Sequence, residues 1–264
     1  NNQQRGTRRT SDIFSAAFSP DGTQLALSAD GQTHGTWLLR PGSQQSWEVE
    51  SFLWPGPASS LSFSPDGQML ATTFRNVPAG TDRFRLWDTL LLTHANPLQT
   101  HPGTIRVSSF LPDGNLLLGD DRGNLIRCNP RTRKFELSPT NTAIELLAAS
   151  RDGTRAALGG DGHLQVWSLA GAPRRLHSLE VAVRDFALTP DDSRLLTAGG
   201  PAGENSVALW ELDGMRLRRE FRGHTKRVNR VAVSADGSIV ASASDDGTIR
   251  LWKNADATEA RKEE

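Results

Sequence analysis

The chain has 264 residues, 36% of them hydrophobic, with 30 basic and 30 acidic side chains, 24 Gly and 14 Pro. That length holds one large domain with a real core, and zero net charge removes the basic excess on which non-specific nucleic-acid binding runs. The lone cysteine, Cys128, excludes an intrachain disulfide and is expected in a buried strand, and no Cys/His cluster stands at metal spacing, so neither metal nor cofactor is expected.

From the start of the chain, Asn1–Thr10 is polar and Arg-bearing, with no apolar stretch behind it to make a signal peptide. No run approaches the ~18 apolar residues of a membrane span, so a cytoplasmic setting without a membrane partner is expected. From residue 11 onward one turn recurs: Phe18-Ser-Pro-Asp-Gly22, Phe63-Ser-Pro-Asp-Gly67, Phe110-Leu-Pro-Asp-Gly114, Ala149-Ser-Arg-Asp-Gly153, Leu188-Thr-Pro-Asp-Asp192 and Val233-Ser-Ala-Asp-Gly237. The shared Asp falls at 21, 66, 113, 152, 191 and 236. Pro fixes φ in such a turn, Asp bonds the backbone ahead of it, and Gly takes positive φ, so each copy is a tight reversal between two strands.

A third strand follows each turn and ends at Trp37, Trp87, Cys128, Trp167, Trp210 and Trp252, which places five tryptophans at one repeat position, expected to pack between neighbouring sheets. Fourth strands are expected at Trp47–Phe52, Lys134–Leu137, Arg174–Leu179 and Leu217–Phe221; the one after Trp87 is not evident. Runs such as Leu116–Leu118 and Ala156–Leu158 are apolar without alternation, as in strands covered on both faces.

The best-marked copy is Gly223–Trp252, in which Gly-His, two Asp-Gly turns and Leu-Trp follow in order. That pattern resembles the WD-repeat family of β-propellers. The resemblance implies an all-β fold of six four-stranded blades over residues 11–252, with a charged tail at 253–264. The length suits a six-bladed ring, but the last blade has no evident fourth strand. Either Asn1–Thr10 supplies it or the chain is a piece of a longer one, and the reading leans to the second. The Ser-Pro-Asp-Gly spelling is similar to the prokaryotic style of these repeats, whose propellers often hang from kinase, protease or ATPase modules.

His224, Ser242 and Asp246 also invite a hydrolase reading, but Ser242 sits in Ala-Ser-Ala with no nucleophile elbow. The resemblance implies instead that His224, Ser242, Asp246 and Trp252 form one structural hydrogen-bond network. In the third repeat its members have become Gly119, Arg122 and Cys128, beside a retained His101; the other repeats are expected to rely on packing. His34, His94, His163 and His177 are expected in loops or at the surface, and Gly159–Gly162 as a turn.

Two second-turn loops are long, at Phe74–Asp82 and Gly199–Asn205. The resemblance puts these loops and the approaches to each first strand on one face, and loops on a rigid scaffold are where function concentrates. Trp54, Phe74, Arg75, Arg122, Arg184 and Arg227 fall there, and Trp and Arg are common interface anchors. The expected function is a non-catalytic scaffold or sensor binding a protein or peptide segment, acidic by preference. A periplasmic TolB-type or peptidase-associated propeller is the alternative, against which the absence of Tyr counts; a propeller enzyme would need convergent acids or histidines, and the repeats offer none.

Overall fold

The computed structural model describes residues 13–29, 35–42, 46–54, 56–74, 84–95, 101–254 and 259–263. They form six antiparallel sheets of four strands, the blades of a β-propeller fold. Blade one is β1 (Ile13–Phe18), β2 (Leu25–Ala29), β3 (Gly35–Pro41) and β4 (Trp47–Trp54). Blade two is β5 (Ala58–Phe63), β6 (Met69–Phe74), β7 (Phe84–Asp88) and the two-residue β8 (His94–Ala95). Blade three is β9 (Ile105–Phe110), β10 (Leu116–Asp120), β11 (Asn124–Cys128) and β12 (Phe135–Pro139). Blade four is β13 (Leu146–Ala149), β14 (Arg155–Gly160), β15 (His163–Ser168) and β16 (Arg174–Glu180). Blade five is β17 (Asp185–Leu188), β18 (Arg194–Ala198), β19 (Val207–Glu211) and β20 (Arg216–Phe221). Blade six is β21 (Val228–Val233), β22 (Ile239–Ser244), β23 (Ile249–Lys253) and β24 (Glu259–Glu263). Two compact units divide the chain, Asn1–Phe110 and Leu111–Glu264.

The last strand departs from the sequence reading. The fourth strand of blade six is β24, drawn from the charged tail, with Leu251 opposite Arg261 and Trp252 opposite Glu259. An outermost strand is held by its backbone ladder on one edge, so a charged stretch can serve there. Asn1–Thr10 lies outside the described residues.

Each first turn is a small hydrogen-bonded unit. Ser19 Oγ donates to Asp21 Oδ1 at 2.6 Å and accepts Gln24 N–H at 2.9 Å, while Asp21 Oδ1 also accepts Thr23 N–H at 3.1 Å. Ser64/Asp66, Ser150/Asp152, Thr189/Asp191 and Ser234/Asp236 repeat the arrangement. Blade three has Leu111 in place of the hydroxyl, and its turn closes one residue sooner, Leu111 N–H donating to the Asn115 carbonyl at 2.8 Å. The following Gly has φ near +70° in five blades (Gly22, Gly67, Gly114, Gly153, Gly237), the left-handed region that costs glycine little.

Successive turns interlock within each unit. A Cβ on Gly67, Gly153 or Gly237 would stand 3.1–3.7 Å from the ring of Pro20, Pro112 or Pro190 in the turn before. Blade four has Arg151 where the others have Pro or Ala, and blade five has Asp192, at φ +54°, where the others have Gly. These two exceptions meet. Arg151 N–H, a donor that proline lacks, gives a 3.0 Å bond to Asp192 Oδ1, and Asp152 N–H bonds Oδ2 at 3.2 Å. The pair replaces ring packing with two hydrogen bonds, which offset the strain of Asp in the left-handed region.

Between blades the packing is apolar. Leu196, Leu209 and Ala198 of blade five meet Val231, Val240 and Trp252 of blade six in one buried cluster. Ala26 and Leu38 of blade one meet Phe63, Leu70 and Trp87 of blade two in another. Burial of each large side chain contributes about 1.5–3 kcal/mol. Cys128 is fully buried, as its strand position suggests, and burial pushes its thiol up.

Hydrogen bonds from Ser19 and Thr23 hold the Asp21 carboxyl at about 2; Thr189 and Ser193 do the same for Asp191, and Ser234 and Ser238 for Asp236. A depressed carboxyl contributes stability that is complete above its unfolded value near 4 and lost as pH falls through 2. Urea midpoints of an Asp21→Asn, Asp191→Asn, Asp236→Asn variant should therefore lie below wild type at neutral pH. The gap should close between about pH 4 and 2.

Candidate functional site

The Gly223–Trp252 stretch brings its four marked side chains into one chain of bonds. Trp252 Nε1–H donates to Ser242 Oγ at 3.0 Å, Ser242 Oγ lies 2.8 Å from His224 Nε2, and His224 Nδ1 lies 2.8 Å from Asp246 Oδ2. Read from the Asp246 carboxylate, which can only accept, the protons of a neutral imidazole have one assignment. Ser242 donates to Nε2, and the Nδ1 proton goes to the carboxylate. Asp246 also accepts from Thr225 N–H at 3.0 Å, Thr248 N–H at 2.9 Å and the Thr248 hydroxyl at 2.7 Å. Burial pushes the Asp246 carboxyl up, but the bonds from Thr248, His224 and Thr225 outweigh it and hold it well below the usual carboxylate range. Ser242 and His224 are only 2% and 4% exposed. The hydroxyl of this Ser/His/Asp set is spent inside the fold.

The other blades keep more of this network than packing alone. Trp87 Nε1–H donates to Thr72 Oγ1 at 3.0 Å and Trp210 Nε1–H to Thr197 Oγ1 at 3.1 Å, both on the neighbouring second strand where blade six has Ser242. Blade four has Leu158 there. Its acceptor is Gln165 Oε1 on the strand of Trp167 itself, at 2.8 Å, and the Gln165 amide nitrogen reaches Thr142 Oγ1 at 3.0 Å and the Thr140 carbonyl at 3.3 Å. Blade three has neither the indole nor its oxygen acceptor. Cys128 pairs with Leu116 and Ile126 with Leu118, so the residue at the Ser242 position is Leu118, and the reading of Gly119 is corrected. The shortened turn at Leu111 shifts the count by one.

Blade one needs a second correction. Leu25, the equivalent of Leu70 and Val240, pairs with Leu39, whereas Trp37 pairs with Leu27. Four tryptophans share the ladder position, each 3–5% exposed, and Leu39 fills it in blade one.

Of the residues read as partner contacts, Phe74 is corrected. It is 1% exposed and packs with Ala58, Leu61 and Leu70 in the core. Arg75 lies outside the described residues, as does the side chain of Trp54, the last residue of β4. Arg122 is exposed in the β10–β11 turn, its N–H held by Asp120 Oδ1 at 3.0 Å. Arg184 and Arg227 come together with acids that the sequence reading did not assign. Arg227 Nη2 lies 2.9 Å from Asp245 Oδ2, and Arg184 Nη2 lies 3.9 Å from Glu204 Oε1. A hydrogen bond from Asn229 and the nearby charges of Arg227 and Arg184 hold the Asp245 carboxyl below its ordinary value. The Gly199–Asn205 loop turns onto blade six, its Glu204 carbonyl accepting Val228 N–H at 2.8 Å and Asn205 Nδ2 donating to the His224 carbonyl at 3.3 Å.

Comparison with known proteins matches residues 215–253 to the family described as WD domain, G-beta repeat. Residues 215–253 are a WD repeat. Over 253 residues the chain is 27% identical to "Cell division cycle 20.6, cofactor of APC complex" of Arabidopsis thaliana, covering 75% of this chain and 58% of that one. "Anaphase-promoting complex subunit cdc20" of Dictyostelium discoideum is 24% identical, with 74% and 48% covered. "Small ribosomal subunit protein RACK1y" of Oryza sativa subsp. japonica is 47% identical over 58 residues, 22% of this chain and 16% of that one. The chain thus spans about half the length of the two longer-matching relatives.

Among the described residues, no group of three His, Cys, Asp or Glu is placed to hold a metal ion, and no helix is long and apolar enough to cross a membrane. The indole acceptors define the protein's structural chemistry. Thr197→Val keeps the volume near Trp210 but strands its N–H, and should lower unfolding free energy by about 1–3 kcal/mol. Thr197→Ser, which keeps the oxygen, should lose about 1 kcal/mol, the share of one methyl group. Urea titration of the two variants measures the difference.

Proposed function

We propose that this chain is a WD-repeat propeller acting as a non-catalytic interaction module that binds a protein or peptide segment at the loop end of its blades. One observation carries the reading: the Arg184, Glu204, Arg227 and Asp245 side chains form an exposed charged cluster on backbone pinned between blades five and six. Loops held this way meet a partner with little ordering cost. The relatives named for the anaphase-promoting complex, one as a cofactor and one as a subunit, support a role exercised through other proteins. The buried, fully engaged Ser242 supports a reading without catalysis, and the fold's lone buried cysteine accords with a cytoplasmic setting.

Preference for an acidic segment belongs to the same proposal, with its anchors reweighted. Arg122 is exposed, and the long contact of Arg184 with Glu204, between side chains 47% and 60% exposed, exchanges readily for a partner carboxylate. Arg227, bound at 2.9 Å, serves more to fix Asp245. Arg75 stands as a further contact of the proposal.

The test is capture from host lysate with the intact chain, followed by titration of the captured partner against an Arg122→Glu, Arg184→Glu variant. Binding should weaken by roughly tenfold and lose part of its salt dependence, as for charges at an interface rim. Unchanged affinity and salt dependence would contradict the proposed face.

A further inference from the structure

At the end of each blade opposite the second-turn loops, the first turn lies beside the turn that joins third and fourth strands. In blade four the two are tied by Leu169 N–H, which donates to the Thr154 carbonyl at 2.7 Å; in blade five Leu212 N–H donates to the Ser193 carbonyl at 2.9 Å. Gly214 N–H then crosses from blade five to His177 Nε2 of blade four at 3.3 Å, which brings the starts of β16 and β20 together. Blades four and five lie within the unit Leu111–Glu264, and the blades that pack on their far sides, three and six, lie in the same unit.

The acids of this end are engaged by the turns themselves. Asp152 accepts from Ser150 and Thr154, Asp191 from Thr189 and Ser193, and Asp192 from the Arg151 and Asp152 N–H groups. Asp213 stands 3.5 Å from Arg155. The arginines that open the outer strands are not engaged in this way. Arg174 and Arg175 begin β16, both exposed, and their guanidinium groups make no hydrogen bond or ion pair with a described residue. Arg216 and Arg218 begin β20, 79% and 63% exposed, and share Glu211 at 3.8 and 3.9 Å, contacts that exchange readily for another carboxylate. Between them Leu217, opposite Trp210, is 43% exposed.

Four arginines and one exposed leucine thus share a surface whose backbone is fixed from beneath. Carboxylates match the arginines, and an aliphatic side chain matches the leucine. A nucleic-acid strand finds no aromatic platform here, since Trp167, Phe186, Trp210 and Phe221 of these two blades are at most 8% exposed. We propose that this turn end of blades four and five is a docking surface, separate from the loop end, for an acidic protein segment that carries an apolar side chain among its carboxylates.

The test uses the intact chain carrying Arg122→Glu and Arg184→Glu, so that the loop end does not contribute, and a dye-labelled peptide with one leucine between two pairs of glutamates. Fluorescence anisotropy should show saturable binding that weakens as salt rises. Adding Arg174→Glu and Arg175→Glu, which break no contact of the fold, should weaken it at least tenfold. Adding Leu217→Ser instead should weaken it roughly threefold, the share of one buried CH2 group. Circular dichroism and urea midpoints check that each variant folds; should the four-site variant fail, Arg216→Gln in the same background replaces it and should also weaken binding. A background chain that does not bind the peptide overturns the proposal, as does binding that survives loss of the arginines. So does single-stranded DNA that binds as tightly as the peptide and is lost with the same arginines, which would make this a phosphate surface.

Discussion

A buried indole N–H must find an acceptor, because it can donate and do nothing else and its desolvation is otherwise uncompensated. Four blades of this protein place a tryptophan at one ladder position, and each supplies an oxygen: Thr72, Gln165, Thr197 and Ser242. Blade three has Cys128 against Leu116 and asks for none. Donor and acceptor are therefore present together or absent together. In blades two, five and six the acceptor ties the second strand to the third, in blade four it holds the indole from the third strand itself, and Trp87, Trp210 and Trp252 each pack against the preceding blade.

Blade six extends the rule outward. Its hydroxyl passes the bond on to His224 and Asp246, and Asp246 in turn holds Thr225 and Thr248. Buried packing is thus tied to the segment that enters β21, and this segment receives the Gly199–Asn205 loop through His224 and Val228. The exposed charges of Arg184, Glu204, Arg227 and Asp245 stand on backbone fixed from below. A surface so held keeps its shape without a partner, which is what an interaction module requires.

Much of this was legible in the sequence because the turns carry their own chemistry: a hydroxyl, an Asp two residues on and a residue tolerant of positive φ specify the reversal locally. The features that the sequence does not display depend on register or on long-range pairing. Trp37 stands at the spacing that ends a third strand, yet β3 runs on to Pro41 and sets Leu39 in its place. Gly119 was displaced by a turn one residue short, Thr72 and Thr197 lay at loop-dependent distances from their tryptophans, and Gln165 sits on the wrong strand for a motif. Phe74 illustrates the remaining difficulty, for a residue beside a long loop can still point into the core. Similarly, β24 shows no apolar pattern because an edge strand needs none.

The most direct measurement is a double-mutant cycle on Gln165 and Trp167, the pair in which the acceptor came from an unexpected place. Gln165→Met strands the indole and Trp167→Phe removes the donor, so their costs in urea unfolding should be non-additive by about 1–2 kcal/mol. Additive costs would mean that the indole bond does not organise the blade, and would contradict the account.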